Sequence, residues 1–316
     1  MTPGSGPTSC ARIAISMGDP AGIGPEVLLR ACDALAADES IRPLVVGDPH
    51  HLGTLASRLD LGEPAEMVAC GTVEEGLQTG RPRPSDARLA LDAITVAADM
   101  TLHGDSAALV TAPVSKQAIA GIEPGFRGHT ELLAGHAGVR DPLMLFAGIR
   151  PAVALLTTHL PLASAIAAVR RPRIVATLER LDKEWARWFG ARPRIAVAGL
   201  NPHAGEHGLL GSEDDLEVRP AVSAARHNGI DARGPYPADS VFRRGDIDVI
   251  LALYHDQGTI MAKNATTPSV NTTLGLPYPR TSPDHGVAYD IAGKDLADPA
   301  AMIAAIRLAA KMAQRL

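Results

Sequence analysis

Three short apolar runs in this chain end in a histidine. "AVALLTTHLP" runs into His159, "RIAVAGLNPHAGE" into His203 and "DVILALYHDQG" into His255. Each run reads as a buried strand, and a core strand gains nothing in packing from such an ending. Parallel strands of one α/β sheet finish on the same rim, where such folds place their ligands. Three imidazoles on one rim can hold a divalent ion and leave a position open for substrate. Asp256, next to His255, can orient its ring or add a ligand. The histidines are far apart in sequence and form no local motif, so each taken singly also fits a satisfied core histidine.

A second group lies downstream. Lys263, Asn271 and Arg280, around "VNTTLGLPYPRTS", supply two cations and an amide donor. That is either an anion pocket or a solvated loop with ordinary surface charge. In "FRGHTE", His129 is a candidate donor to substrate, and Thr130 joins it or caps a helix over "ELLAGHAG". A dinucleotide, if bound, does not use a standard Rossmann turn. There is no GxGxxG and no P-loop, and the glycines of "GDPAGIGPE" fall at 18, 22 and 24.

The elements that must position these residues follow from periodicity. "RIAISM", "PLVVGD" and "DSAALVTAP" read as strands, separated by helices over "EVLLRACDALA" and "DARLALDAITVAADMTLHG". "LMLFAG" and "AVALLTTHLP" flank a tight turn at Gly148–Pro151, which predicts a hairpin and hence a mixed sheet. Ile174, Leu178, Leu181, Trp185 and Trp188 recur at helical spacing, so both tryptophans are expected to pack. The last segment is an Ala-rich helix with Asp298 as N-cap and Pro299 after it.

Composition sets the outer bounds. The 316 residues fit two domains or one large α/β unit. With 46% apolar but only 3% aromatic residues, the core must be Ala, Val, Leu and Ile, which suits a parallel sheet covered by helices. A net charge of −5 argues against nucleic acid or an anionic membrane as partner, so an anionic substrate needs a local cationic cluster. Cys10, Cys32 and Cys70 are odd in number and scattered, which argues against a disulfide framework or a Cys-rich zinc site and fits idle thiols in a reducing compartment. Residues 1–9 read as a disordered polar tail without the apolar core of a secretory signal. No apolar run is long enough to span a bilayer, so a cytoplasmic location is expected.

"ISMGDPAGIGPE", "TAPVSK", "GHTELL", "TTHLP", "GLNPHAGE", "GPYPADSVF", "YHDQG" and "VNTTLGLPYPRTSPDHGVAYDIAGK" occur in that order. Together they closely resemble the 4-hydroxythreonine-4-phosphate dehydrogenase family of pyridoxal phosphate biosynthesis. "HGVAYDIAGKDLADP" also resembles the adenosine-binding loop of isopropylmalate and isocitrate dehydrogenases. The resemblance implies an α/β fold of two domains in an α/β/α sandwich with a mixed sheet and the active site in the interdomain cleft. It places a first domain at 10–125 plus 295–316 and a second, with metal site and dimer interface, at 126–294.

It further implies that His159, His203 and His255 bind one divalent ion (Zn, Mg or Co), His255 reaching the other subunit's site in a homodimer. His129, Thr130, Lys263, Asn271 and Arg280 are then substrate contacts. Gly286, Ala288, Asp290, Ile291 and Gly293 line NAD or NADP, and Asp239 lies near the reacting group. The implied reaction oxidises the C3 hydroxyl of 4-phosphohydroxy-L-threonine, followed by decarboxylation to 3-amino-2-oxopropyl phosphate. Asp239 and Lys263 are the candidates for taking the alcohol proton. Between Lys263 and Asn271 the chain reads "NATTPSV", where the family has a longer Gly-rich, Arg-containing loop. That keeps open related dehydrogenases acting on 4-phospho-D-threonate or 4-phospho-D-erythronate, or on a carboxylated cis-dihydrodiol. Two other classes are a three-histidine zinc hydrolase, which would need no dinucleotide loop, and a non-catalytic metal- or nucleotide-binding protein, which would need no anion pocket.

Overall fold

A computed structural model describes residues 10–316; the polar segment 1–9, expected to be disordered, lies outside the described residues. The first elements are β1 (Ala11–Ser16), α1 (Gly24–Ala34), β2 (Ile41–Gly47), α2 (Pro49–Arg58), β3 (Glu66–Ala69), α3 (Pro84–Leu102), β4 (Ala108–Thr111), α4 (Lys116–Ile122) and α5 (His129–His136). There follow β5 (Leu143–Ala147), β6 (Ala152–Leu155), α6 (Leu162–Ala168), α7 (Arg171–Phe189), β7 (Ile195–Ala198), α8 (Arg219–His227), β8 (Ala232–Tyr236), α9 (Ala238–Val241), β9 (Val249–Ala252), α10 (His255–Lys263) and β10 (Val270–Leu274). The chain ends with β11 (Arg280–Pro283) and α11 (Ala300–Ala313).

These elements form two compact units. One comprises the chain up to Arg140 together with Leu276–Leu316, the other Asp141–Gly275. The borders differ from the 125/126 and 294/295 expected from the sequence. The physical reason at the second border is pairing: β11 joins β4 in parallel and α11 packs on both, which draws Arg280 and the 284–294 segment into the first unit. His129 and Thr130, on α5, also belong to it.

In the first unit the strand order is β3-β2-β1-β4-β11, all parallel. Helices α3 and α11 both pack on β1 and β4. Chain direction across the sheet reverses between β1 and β4, the position at which open α/β sheets bind ligands outside the carboxyl ends of their strands. In the second unit the order is β10-β5-β6-β9-β7-β8. The β5–β6 hairpin pairs Leu145 with Ala154 as the turn residues predict, and β10 is antiparallel to β5. Strands β6, β9, β7 and β8 run parallel, so the sheet is mixed.

On α7, Ile174, Leu178, Leu181 and Trp188 are buried, and Trp185 stacks on Phe189 with ring centres 4.4 Å apart. Four strands escape the apolar patterns: β3 and β8 are edge strands, and β10 and β11 bury Thr272, Thr273, Arg280 and Thr281. Helix α11 begins at Ala300 with Pro299 at the capping position, one residue later than expected; Asp298, just outside, accepts the Ala300 N–H at 2.8 Å. The three cysteines are free thiols, and burial pushes Cys32 up to about 12. Among the described residues no helix is long and apolar enough to cross a membrane.

Helix α10, which begins at His255, lies against β6 through a glycine. A Cβ on Gly258 would stand 2.5 Å from Leu155 Cδ2 and 2.9 Å from Val153 Cγ1. Gly258→Ala should therefore overpack this contact and cost about 1–3 kcal/mol, read as a lower urea midpoint with an unchanged slope. An unaltered midpoint would show that α10 has room to move.

Candidate active site

The parallel strands β6, β9 and β7 send their carboxyl ends to one rim, and side-chain bridges hold those ends together. The Thr157 hydroxyl donates to the Leu253 carbonyl at 2.9 Å, tying β6 to β9. Gln257 accepts from the Leu253 N–H at 2.7 Å and donates to the Gly199 carbonyl at 2.8 Å, tying β9 to β7. At the opposite ends, Asp248 takes the Arg194 backbone N–H and both arms of its guanidinium at 2.9 Å.

His159 follows β6, His203 follows β7 and His255 opens α10 after β9. The rings of His159 and His255 have centres 5.6 Å apart at an interplanar angle of 43°. His255 Nδ1 bonds Asp256 Oδ1 at 2.6 Å, which leaves Nε2 as the outward nitrogen. His203 lies in a left-handed turn, with φ values of 53° at His203, 54° at Ala204 and 55° at His207. Asp214 anchors its start by accepting the Leu200 and Asn201 N–H groups at 2.8 and 2.9 Å. Among the described residues of a single chain, no three His, Cys, Asp or Glu come close enough to hold an ion. One chain alone thus does not bring the three histidines together around one point.

Asp239 sits exposed in the first turn of α9, directly after β8 and at the same end as the histidine-bearing strands. Lys263 is the last residue of α10, about 12 Å along the helix axis from His255. Asn271 lies in β10 opposite Phe146, and its Oδ1 is buried without a partner.

The first unit holds the remaining cationic residues. Arg280, the first residue of β11, is 1% exposed, and its guanidinium donates to Thr111 Oγ1 at 2.5 Å. It therefore does not lie in a solvated loop. Burial lowers its pKa to about 10, so it remains charged at neutral pH. His129 is the first residue of α5, and its Nε2 is buried with no partner. Burial, the Arg280 cation and the Lys116 cation all push its pKa well below the ordinary histidine value. Thr130 is buried in the first turn and does not cap the helix; Gly128 occupies that position. Sequence reasoning passed over Tyr278, 4% exposed with an unpartnered hydroxyl, and Lys116. Both stand inside motifs, Tyr278 in "VNTTLGLPYPRTS" and Lys116 in "TAPVSK", where nothing in the residue types marks them for a role.

The 284–294 segment is fastened to the turn after β1. Tyr289 OH donates to Asp19 Oδ2 at 2.5 Å, and the Ile23 N–H donates to the Val287 carbonyl at 2.9 Å. Burial raises the Asp19 pKa, against the Tyr289 hydrogen bond. Ala288 and Gly293 take left-handed conformations, at φ 41° and 73°, and Ile291 closes a turn on Ala288. Gly286, Asp290 and Gly293 are exposed, and a Cβ on Gly293 would meet Thr79 Oγ1 at 3.0 Å. The His285 Nε2 is buried and unpartnered. A fastened loop with exposed glycines and an orphan nitrogen suits close approach by a polar ligand such as a dinucleotide.

The His129 shift has a pH consequence. Its folded-state pKa lies below the ordinary value of about 6.5, so the unfolded chain binds more protons as pH falls and stability declines toward acid. His51, whose pKa burial also lowers, acts in the same direction. His129→Gln should reduce this acid-side loss, measured as urea midpoints from about pH 7.5 down to about pH 5. Equal slopes in wild type and variant would contradict a neutral buried imidazole.

The profile of the pyridoxal phosphate biosynthetic protein PdxA matches residues 39–309. A 4-hydroxythreonine-4-phosphate dehydrogenase of Cupriavidus pinatubonensis is 44% identical, with 95% of this chain and 94% of the relative covered. The crystal structure of the Klebsiella pneumoniae enzyme of that name superposes with a TM-score of 0.85 at 36% identity, covering 96% of this chain and 98% of that one. A terephthalate 1,2-cis-dihydrodiol dehydrogenase of Burkholderia xenovorans LB400 gives 0.67 at 28% identity, covering 95% and 98%. A family match over most of the chain, together with a relative 44% identical over nearly the whole of both chains, leads to one conclusion: this chain belongs to the PdxA family of pyridoxal phosphate biosynthetic proteins.

Proposed function

We propose that this protein is a homodimeric, cytoplasmic dehydrogenase dependent on NAD(P) and a divalent metal. It oxidises the C3 hydroxyl of 4-phosphohydroxy-L-threonine and releases CO₂ to give 3-amino-2-oxopropyl phosphate. One observation carries the reading: a fully buried guanidinium, Arg280, beside a buried imidazole nitrogen without a partner. Such an arrangement in an acidic chain favours a strongly anionic ligand, and the phosphate of this substrate is one.

The roles divide by unit. In the first, Arg280 and His129 hold the anionic group, Thr130 adds a hydroxyl, and Gly286, Ala288, Asp290, Ile291 and Gly293 receive the dinucleotide. When bound, the nicotinamide takes up the hydride. In the second, His159, His203 and His255 hold the ion. Zn, Mg or Co bound there would lower the pKa of the substrate alcohol and polarise the carbonyl formed from it. Asp256 fixes the ring of His255, leaving Nε2 as its ligating atom. Asp239, at the same strand ends, is the group we assign to take the alcohol proton. Lys263, remote along α10 from His255, and Asn271 are assigned to substrate contact.

The dimer reading rests on exposed apolar side chains. Leu160, Leu162, Leu209, Leu216, Ile260 and Met261 are all at least 40% exposed. They lie on the segments that follow the three strand-end histidines. Apolar surface of this kind marks an interface, and a partner at that face would bring its own His255 to the His159 and His203 of this chain.

The test is reduced-nicotinamide formation with 4-phosphohydroxy-L-threonine, its dephosphorylated form, 4-phospho-D-threonate and an aromatic cis-dihydrodiol. Turnover of the first should exceed the rest and disappear with chelator. His255→Ala should lose that activity while keeping its far-UV circular dichroism. Equal turnover with and without the phosphate would sink the reading. Arg280→Ala removes one partner of a buried charged contact, at about 2–5 kcal/mol. It should lower kcat/KM at least about thirtyfold; a change under threefold would place the anion elsewhere.

A further inference from the structure

We propose that Lys116 is a further substrate contact, gripping the anionic group held by Arg280 and His129, and that it sets the preference for a phosphate over an uncharged group at that position. The inference rests on the functional reading above for the identity of the substrate, but not for the existence of the anion site.

Position is the first argument. Lys116 opens α4 just beyond the carboxyl end of β4. That places it at the reversal of strand order between β1 and β4, where sheets of this class bind ligands. The second argument is its surroundings. A Cβ built on Gly128 would lie 3.2 Å from Lys116 Cε and 3.5 Å from its Nζ. The amine therefore rests over the residue that precedes α5. Any larger residue at 128 would displace it, and Gly128 at φ 152° keeps that space open.

That placement is electrostatically unfavourable as it stands. The amino end of α5 carries the positive pole of the helix, and His129 and the buried Arg280 lie close by. Glu131 Oε2, 3.3 Å from the same built Cβ, offsets part of this charge. Among the described residues Lys116 itself makes no hydrogen bond or ion pair. Burial is the main cause of the depressed basicity of His129, and the Arg280 and Lys116 cations add to it.

A third, independent observation points to a ligand. Tyr278 is 4% exposed, yet its hydroxyl has no partner, and it is near enough to Arg280 for each to shift the other's ionisation. Ammonium, imidazole and phenol thus gather around the Arg280 guanidinium in one region of the first unit with donor capacity unspent. A phosphate monoester, a dianion with three non-bridging oxygens, uses several such donors at once. A hydroxyl in its place uses few and neutralises none.

Lys116→Gln and Lys116→Arg test this in the full-length protein, with Lys311→Gln, an exposed lysine of α11, as control. Because Lys116 is exposed and unbonded, neither change should move the ligand-free melting temperature by more than about 1 °C. Losing a charged hydrogen bond corresponds to about a tenfold or larger effect on binding. Lys116→Gln should accordingly raise KM for 4-phosphohydroxy-L-threonine at least about tenfold. The kcat should stay within about twofold, and the advantage over the dephosphorylated compound should shrink by the same factor. Lys116→Arg should recover most of the loss. Inorganic phosphate should raise the wild-type melting temperature and do so much less in Lys116→Gln. Wild-type turnover with unchanged Lys116→Gln kinetics overturns the proposal and leaves the functional reading intact. Without wild-type turnover the functional reading fails, and the phosphate titration decides the proposal. Equal phosphate responses in wild type and Lys116→Gln, or none in either, overturn it.

Discussion

A guanidinium at 1% exposure inside an acidic chain is the constraint around which the first unit is arranged. Removing such a charge from water is costly, and the cost is met only where hydrogen bonds and opposite charge are supplied locally. Arg280 achieves this from a strand rather than a loop. Its backbone is held by pairing with β4 and by α11 packed behind β11, and its side chain reaches Thr111 on the neighbouring strand. Rotamer freedom is therefore spent in folding rather than in binding, which is the condition for a strong, oriented anion contact. The same buried charge acts on its neighbours. Burial first, and the Arg280 and Lys116 cations after it, push the His129 pKa well below the ordinary value, and a neutral imidazole can donate or accept as the ligand requires.

The second unit solves a different problem, that of placing residues distant in sequence on one rim. Backbone pairing alone fixes the strands but not the loops that leave them. The loops are fixed by amide and hydroxyl side chains at the strand ends, with Thr157 crossing from β6 to β9 and Gln257 from β9 to β7. Gln257 is two residues from His255, so the bridge that aligns the strands also sets the first turn of α10. A polar residue at a strand end can thus be structural beside one whose side chain is left free of that task, so "YHDQG" reads as one cluster although only Gln257 bridges the strands.

The legible part of the sequence is the part where burial and hydrophobicity coincide. β1, β2, the β5–β6 hairpin and α7 follow from apolar spacing because their buried positions are mostly Val, Ile, Leu, Ala, Met, Phe or Trp. Strands β10 and β11 do not, because they bury Thr272, Thr273, Thr281 and Arg280, and a run of such residues reads as a loop. The border at 275/276 was missed for the same reason. Lys263, Asn271 and Arg280 look like one downstream group in sequence, yet Arg280 folds with the first unit and the other two with the second. Lys116 closes the motif "TAPVSK" but carries no sign of a role there, since a single lysine differs from a surface lysine only by what α5 places beside it.

The turn carrying His203 marks the limit of such reading most clearly. Left-handed backbone costs an L-residue about 1–2 kcal/mol, and His203, Ala204, Glu206 and His207 all adopt it. No local preference of "PHAGEH" dictates this; only Gly205 is free of the penalty. The conformation is imposed from outside, by Asp214, which is fully buried and accepts the Leu200 and Asn201 N–H groups and the Asn201 side-chain amide. A buried carboxylate with three donors is well satisfied, and that satisfaction offsets the strain a few residues away. His203 is thereby held at a strand end in a geometry it would not choose, as residues at functional sites often are. The histidine alone shows in the sequence; the carboxylate that holds its turn lies in "SEDDLE", where one more acidic residue among four passes for surface charge.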